Sequence, residues 1–169
     1  MSDVMRWRYG ETNPIEIAVG ITTVIEKGDL LWKDGDEAKP AADLPWQGSA
    51  NSQRAEFKRR FLGVAMRRSR KGETDLVLCA TTGVFEFMNW DTNYSIGGLF
   101  GAAPSGSNSL WNQFVDLVDD PVYAIGRTVR SKSRQPGSSV LVDIVSTIMH
   151  GGVQCPMTTC RHCGEVIMF

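Results

Sequence analysis

Two stretches of this chain are written to one plan, and that repetition limits the folds open to it more than any other feature. From Phe61 to Phe87 the sequence FLGVAMRRSRKGETDLVLCATTGVFEF places two apolar runs on either side of a basic turn. Leu62, Val64 and Met66 alternate with smaller or polar residues, Gly72 punctuates, and Leu76, Leu78, Ala80, Thr82 and Val84 resume the period of two, which is the pattern of a β-hairpin. Residues 124 to 150, AIGRTVRSKSRQPGSSVLVDIVSTIMH, repeat the order: Ile125-Gly126 answers Leu62-Gly63, and Arg130 to Arg134 answers Arg67 to Lys71. Val140, Val142, Ile144 and Ile148 then answer Leu76, Leu78, Ala80 and Val84. A Gly-x-Leu element stands upstream of each copy, Gly28-Asp29-Leu30 and Gly97-Gly98-Leu99, at 35 residues from Gly63 and 29 from Gly126. Such loose spacing fits a β unit duplicated with variable loops, not a solenoid.

The rest of the chain is arranged around these units. Residues 1–14, where Met5, Trp7 and Tyr9 alternate with Arg6 and Arg8, form an extended N-terminal arm, either a free end or a segment that orders on a neighbour. Ile15, Ile17, Val19 and Ile21 alternate, and the β-branched run to Ile25 extends the expected strand. Asn51-Ser52 caps a short basic helix through Arg60, while Asp119-Asp120-Pro121 favours a single helical turn at the matching place in the second copy. Leu110 to Val118 fits a helical stripe better than strict alternation, although the duplication favours a strand. The expectation is a mainly β protein: a small duplicated β-barrel or β-sandwich-like domain over 15–150 (copies at about 25–87 and 94–150), with one or two short helices, the arm, and a cysteine-containing tail over 151–169.

A length of 169 residues is enough for one domain with its own core. No apolar run approaches the ~18 residues of a membrane span, and MSDVMRWRYG lacks the apolar centre of a signal peptide, which places synthesis in a reducing cytoplasm. The net charge of −1 conceals segregation, since twelve of the eighteen Lys and Arg fall within 54–71 and 127–134, beside one acid, Glu56. Each basic turn admits three readings. A charged tip can stay solvated and guard a strand edge; it can meet an acidic protein surface; or it can neutralise nucleic-acid phosphates, although neither turn carries the aromatics on which single strands stack.

No catalytic signature is present: no GxSxG, no GxxxxGK[ST], no HExxH, and only two histidines, so the sequence nominates no catalytic residue and the protein reads as a non-enzyme. Cys79 reads as a small core residue. The one chemical constellation is the tail, where Cys160, Cys163 and Gly164 form the knuckle half of a zinc ribbon, and Cys155 with His150 or His162 would complete four ligands. Structural zinc, reduced thiols, and an intermolecular disulfide or shared metal are the alternatives. No other cofactor is called for.

The phrases YGETNPIEIAV (9–19), IEKGDLLW (25–32), AKPA (38–41), NSQRAEFKRRFLGVAMRRSRKGETD (51–75), ATTGVFEF (80–87) and AIGRTV (124–129) resemble a family of tailed-phage and prophage head decoration, or cement, proteins. The likeness covers about residues 9–149 and leaves the cysteine tail outside. It implies a β domain on the outer surface of an icosahedral capsid, made in the bacterial cytoplasm and carried on the virion. It further implies trimers that bind the major capsid protein and stabilise joints between its subunits. The residues expected at the capsid are Trp7, Arg8 and Tyr9 of the arm, with Arg67, Arg68, Arg70 and Arg130 of the turns. Rival expectations are a nucleic-acid- or zinc-binding β module, tested by gel shift across a salt series, and a β-barrel enzyme, which a ligand in an internal pocket would reveal.

Overall fold

The computed structural model describes residues 6–90, 92–134 and 137–154. In chain order the first part of the molecule holds β1 (Trp7–Tyr9), β2 (Ile15–Ile17), β3 (Leu30–Asp34), β4 (Glu37–Pro40), α1 (Ala50–Arg59), β5 (Phe61–Ala65) and β6 (Val77–Ala80). The second holds β7 (Thr82–Met88), β8 (Leu99–Pro104), β9 (Leu110–Val118), a 3-10 turn (Pro121–Tyr123), β10 (Gly126–Thr128), another 3-10 turn (Lys132–Arg134), β11 (Ser139–Val145) and α2 (Thr147–His150). The protein is therefore mainly β, as the alternation of apolar residues predicts.

Two sheets form, one per half. The first has the order β2-β6-β5-β3-β4; the second has β7-β11-β10-β8-β9 with β1 added outside β7. Strand for strand the two orders are the same. Each sheet also curls back on itself through one parallel pairing of its outer strands, Ala18 with Glu37 in the first and Met88 with Phe114 in the second. The duplication extends to single hydrogen bonds. Gly28 N donates to Ala65 O at 2.8 Å, as Gly97 N does to Thr128 O at 2.8 Å; Ser69 N donates to Ile25 O at 2.9 Å, as Lys132 N does to Tyr94 O at 3.0 Å. Gly63 and Gly126 match as well, since a Cβ on either would run into a backbone oxygen of the neighbouring strand, Ala80 O or Asp143 O.

Neighbouring residues of a strand face opposite sides of its sheet. Leu30 and Leu31 are both buried, as are Val64 and Ala65, so the first sheet is covered on both faces. One face encloses Val19, Ile25, Leu31, Leu62, Val77 and Cys79. The other contributes Leu30, Trp32, Phe61, Val64 and Ala80 to a core shared with Phe85, Phe87, Phe100, Val140, Val142 and Ile144 of the second sheet. The second sheet is different: in β11, Val140, Val142 and Ile144 point inward, but Asp143 is exposed. The two sheets thus form one packed body.

Several local expectations change. The apolar run 76–87 is not one strand, because β6 stops at Ala80 and β7 joins the other sheet, where its seven residues pair with all of β11. Thr81, at the crossing, takes bonds from both sides: its N–H donates to Thr12 O and its carbonyl accepts from Ser146 N. Leu76, expected on the core face, is 46% exposed. The strand expected to reach Ile25 ends at Ile17, since the chain turns with Thr23 N bonded to Gly20 O and leaves Ile21 and Val24 in solvent. The cap of α1 is Ser49, not Asn51-Ser52; its hydroxyl accepts from Ser52 N at 3.1 Å. Leu110–Val118 is a strand, paired with β8 at Leu110 and from Val115 to Val118, and Asp120 caps the single turn at 121–123 as predicted.

Candidate interaction surface

From Arg6 onward the arm lies against the body. Trp7 lies opposite Phe85 and Tyr9 opposite Val84, so β1 forms the outer edge of the second sheet. Arg8 is anchored there by Glu86, with Nε 2.7 Å from Oε2 and a second contact from its Nη2. Arg8 and, next, Ser139 hold the Glu86 carboxyl below the usual carboxylate range. The aromatic rings face outward: Trp7 is 43% and Tyr9 47% exposed. Trp7 Nε1 is satisfied locally by Gly10 O at 3.2 Å.

The basic residues do not share one face. Those of α1 are largely consumed by structure. Arg54 reaches Asp116 on β9 at 2.8 Å and Ala102 O at 3.3 Å, Arg59 and Arg60 both bind Glu56, and Arg60 lies over the Trp32 ring at 5.6 Å from its centroid. Arg127 is spent on the carbonyl of Gly97 at 3.0 Å. The two hairpin turns remain, and each borders an open groove. The first groove, of about 490 Å³, puts Arg67 and Arg68 among Glu16, Glu73 and Asp75. Glu73 also binds the backbone N–H of Arg70 at 2.8 Å. The second groove, of about 500 Å³, gathers Arg8, Tyr9, Arg130 and Arg134 with Glu86 and Ser139.

The structure therefore brings Arg8, Tyr9 and Arg130 together, and places Arg67, Arg68 and Arg70 in a separate, acid-rich environment. Arg134 joins the former set although the sequence singled out only Arg130 from its turn; aligning the two turns on Gly63 and Gly126 does not reveal it, because the contact depends on where β1 lands. A second surface feature also escapes notice in sequence. Trp90 packs against Phe114 at 4.7 Å between centroids and Trp111 against Phe114 at 6.2 Å, with Trp90 52% and Trp111 39% exposed. The three come from β9 and the loop after β7, far apart along the chain.

Of the proposed zinc ligands only His150 lies among the described residues; Cys155, Cys160, His162 and Cys163 fall outside them. His150 Nε2 is 3.0 Å from Thr81 Oγ1, whose own proton goes to Asn13 O at 2.6 Å, so Nε2 is the donor and Nδ1 the nitrogen left for any ligand. Among the described residues no three His, Cys, Asp or Glu side chains gather as a metal site. Cys79 is fully buried, and burial pushes its thiol far up, so it packs as an apolar group. No helix of the described residues is long and apolar enough to cross a membrane.

No family model matches the chain, and no curated protein does. Among solved structures, it is similar to the head fiber gp8.5 N base in bacteriophage phi29. That likeness has a TM-score of 0.44 and 16% identity, over 78% of this chain and 93% of that one.

Proposed function

We propose that this chain is a structural protein of a tailed-phage virion that binds the outer surface of the icosahedral capsid and reinforces joints between major capsid protein subunits. The reading is carried by the residue-level likeness of NSQRAEFKRRFLGVAMRRSRKGETD and ATTGVFEF to head decoration proteins. In the fold those phrases make α1, β5, the first basic turn and the crossing from β6 to β7. They are the frame of the duplicated domain, the part a shared architecture requires. The surface supports an interfacial role: half-exposed Trp7 and Tyr9 on an edge strand, with a charged groove beside them. No reaction is assigned, trimers are the assembly the resemblance implies, and a modest affinity repeated over many sites adds to shell stability by mass action.

The test mixes purified protein with capsid shells that lack it and counts occupied positions by electron microscopy. Full-length protein is expected to decorate the shells. A form lacking residues 1–9 should keep its fold, because β1 adds only three exposed residues to the sheet edge, but lose occupancy. Failure of the full-length protein to decorate any shell overturns the function; full occupancy by the truncated form overturns the role of the arm.

A further inference from the structure

We infer that the arm converts one of two equivalent grooves into a binding site for a short acidic segment of a partner protein, with Arg130 and Arg134 as its carboxylate-binding residues and Arg8 as the group that neutralises Glu86. The inference rests on the virion reading only for where such a partner is found.

Duplication supplies an internal control. Ile15 of β2 pairs with Cys79 of β6 as Phe85 of β7 pairs with Val142 of β11, so Glu16 and Glu86 hold the same place in their sheets. Arg67 and Arg130 likewise correspond, each one residue past matching hydrogen bonds, Met66 N to Leu78 O at 2.8 Å and Val129 N to Leu141 O at 3.1 Å. Each groove is thus built around one glutamate and one arginine in matching places. What differs is the surroundings. In the first, Arg67 and Arg68 face Glu16, Glu73 and Asp75, and carboxylates outnumber guanidiniums. In the second, β1 lies along the outside of β7 and brings Arg8 onto Glu86. Among the described residues no carboxylate pairs with Arg130 or Arg134. Three guanidiniums then face one carboxylate, and the Tyr9 ring forms part of the wall.

Guanidinium groups bind carboxylates in a planar, two-pronged fashion, and the surplus of two in this groove matches two carboxylates. A duplex or long single strand is a poorer fit. Nucleic-acid affinity comes from neutralising many phosphates along the backbone, on the order of six to ten in a typical specific complex. The groove offers fewer cations, and outside the two basic runs the chain carries eighteen acids against six bases, which repel an extended polyanion.

The experiment titrates full-length protein into a fluorescein-labelled peptide with three successive glutamates between Gly-Ser spacers, in low salt, and reads anisotropy; a labelled 12-base-pair duplex is the second probe. Wild type is expected to bind the peptide. Arg130→Gln with Arg134→Gln should weaken binding about tenfold or more, whereas Arg67→Gln with Arg68→Gln should change it less than about twofold. Arg8→Gln should also weaken it, and adding Glu86→Gln to that variant should restore part of the affinity, because both variants lack the ion pair and differ only in the uncompensated carboxylate. No peptide binding by wild type, equal losses from the two double variants, no recovery on adding Glu86→Gln, or tighter binding of the duplex than of the peptide each overturns the proposal. Shell decoration by wild type is scored separately: decoration with an inert groove leaves the virion reading standing, and an acid-binding groove on a protein that decorates no shell does the reverse.

Discussion

At the scale of residues, the two glycines that mark the repeat are fixed by crowding. Gly63 and Gly126 each lie against the backbone oxygen of the next strand, and Gly63 in addition has φ +154, where side chains are strained. Gly63→Ala and Gly126→Ala must push adjacent strands apart, and each should cost about 3 kcal/mol or more, read as a lowered denaturation midpoint. A pair of such variants that melt like wild type would show that the strands can give. The Arg8 to Glu86 pair carries a pH dependence. Because Arg8 depresses the folded-state pKa of Glu86, the pair adds stability at pH above the ordinary carboxylate value, and that stability is lost as pH falls through the folded value. The arm should therefore become more open to proteolysis in acid, and Glu86→Gln should be equally open throughout; a wild-type arm whose protease sensitivity ignores pH contradicts this account.

At the scale of elements, α1 shows how one helix is positioned. Ser49 caps it, Lys58 and Arg59 sit in its last turn where cations suit the helix dipole, and Phe57 and Gln53 face inward. Gln53 Nε2 bonds the Leu44 carbonyl at 2.8 Å, while Arg54 ties the helix to the second sheet through Asp116. Ser49→Ala should cost about 1 kcal/mol, whereas Asn51→Ala should cost less, since it is not the cap. Arg54→Ala should cost about 1 to 3 kcal/mol, because it strips a half-buried charge-assisted bond from Asp116. Urea denaturation of the three variants gives the ranking; a cost for Asn51→Ala above that for Ser49→Ala would contradict the observed capping.

At the scale of the whole molecule, the two halves share a chain order but not a surface. The outward face of the first sheet is apolar and buried against the second; the corresponding face of the second carries Asp143 and faces solvent. Residues 10–81 produced alone would expose Leu30, Trp32, Val64 and Ala80, and are expected to aggregate or lack a cooperative melt. A soluble monomer with a sharp thermal transition would show the halves to be independent. In the full chain the shared core predicts a single unfolding transition.

The β class, the repeated hairpins and the single turn at 121–123 were legible in sequence because they depend on local rules: alternation, glycine placement, and a proline behind an acidic cap. The places where those rules misled are places where distant parts meet. Alternation runs unbroken from Leu76 to Phe87, but the shared core takes Ala80 into one sheet and Phe85 into the other. Leu110–Val118 looked helical because apolar residues occupy both faces of the strand, with Leu110, Val115 and Val118 buried and Trp111 and Leu117 exposed. Twelve of the eighteen Lys and Arg are clustered along the chain, yet in the fold Asp116 and Glu56 absorb Arg54 and Arg59 of α1. By itself, then, the sequence determined that the chain is a duplicated β unit with two basic turns. Only the tertiary structure decided that the turns are unequal, because charge at a surface depends on which strand lies alongside it, and the arm can pair with just one sheet edge.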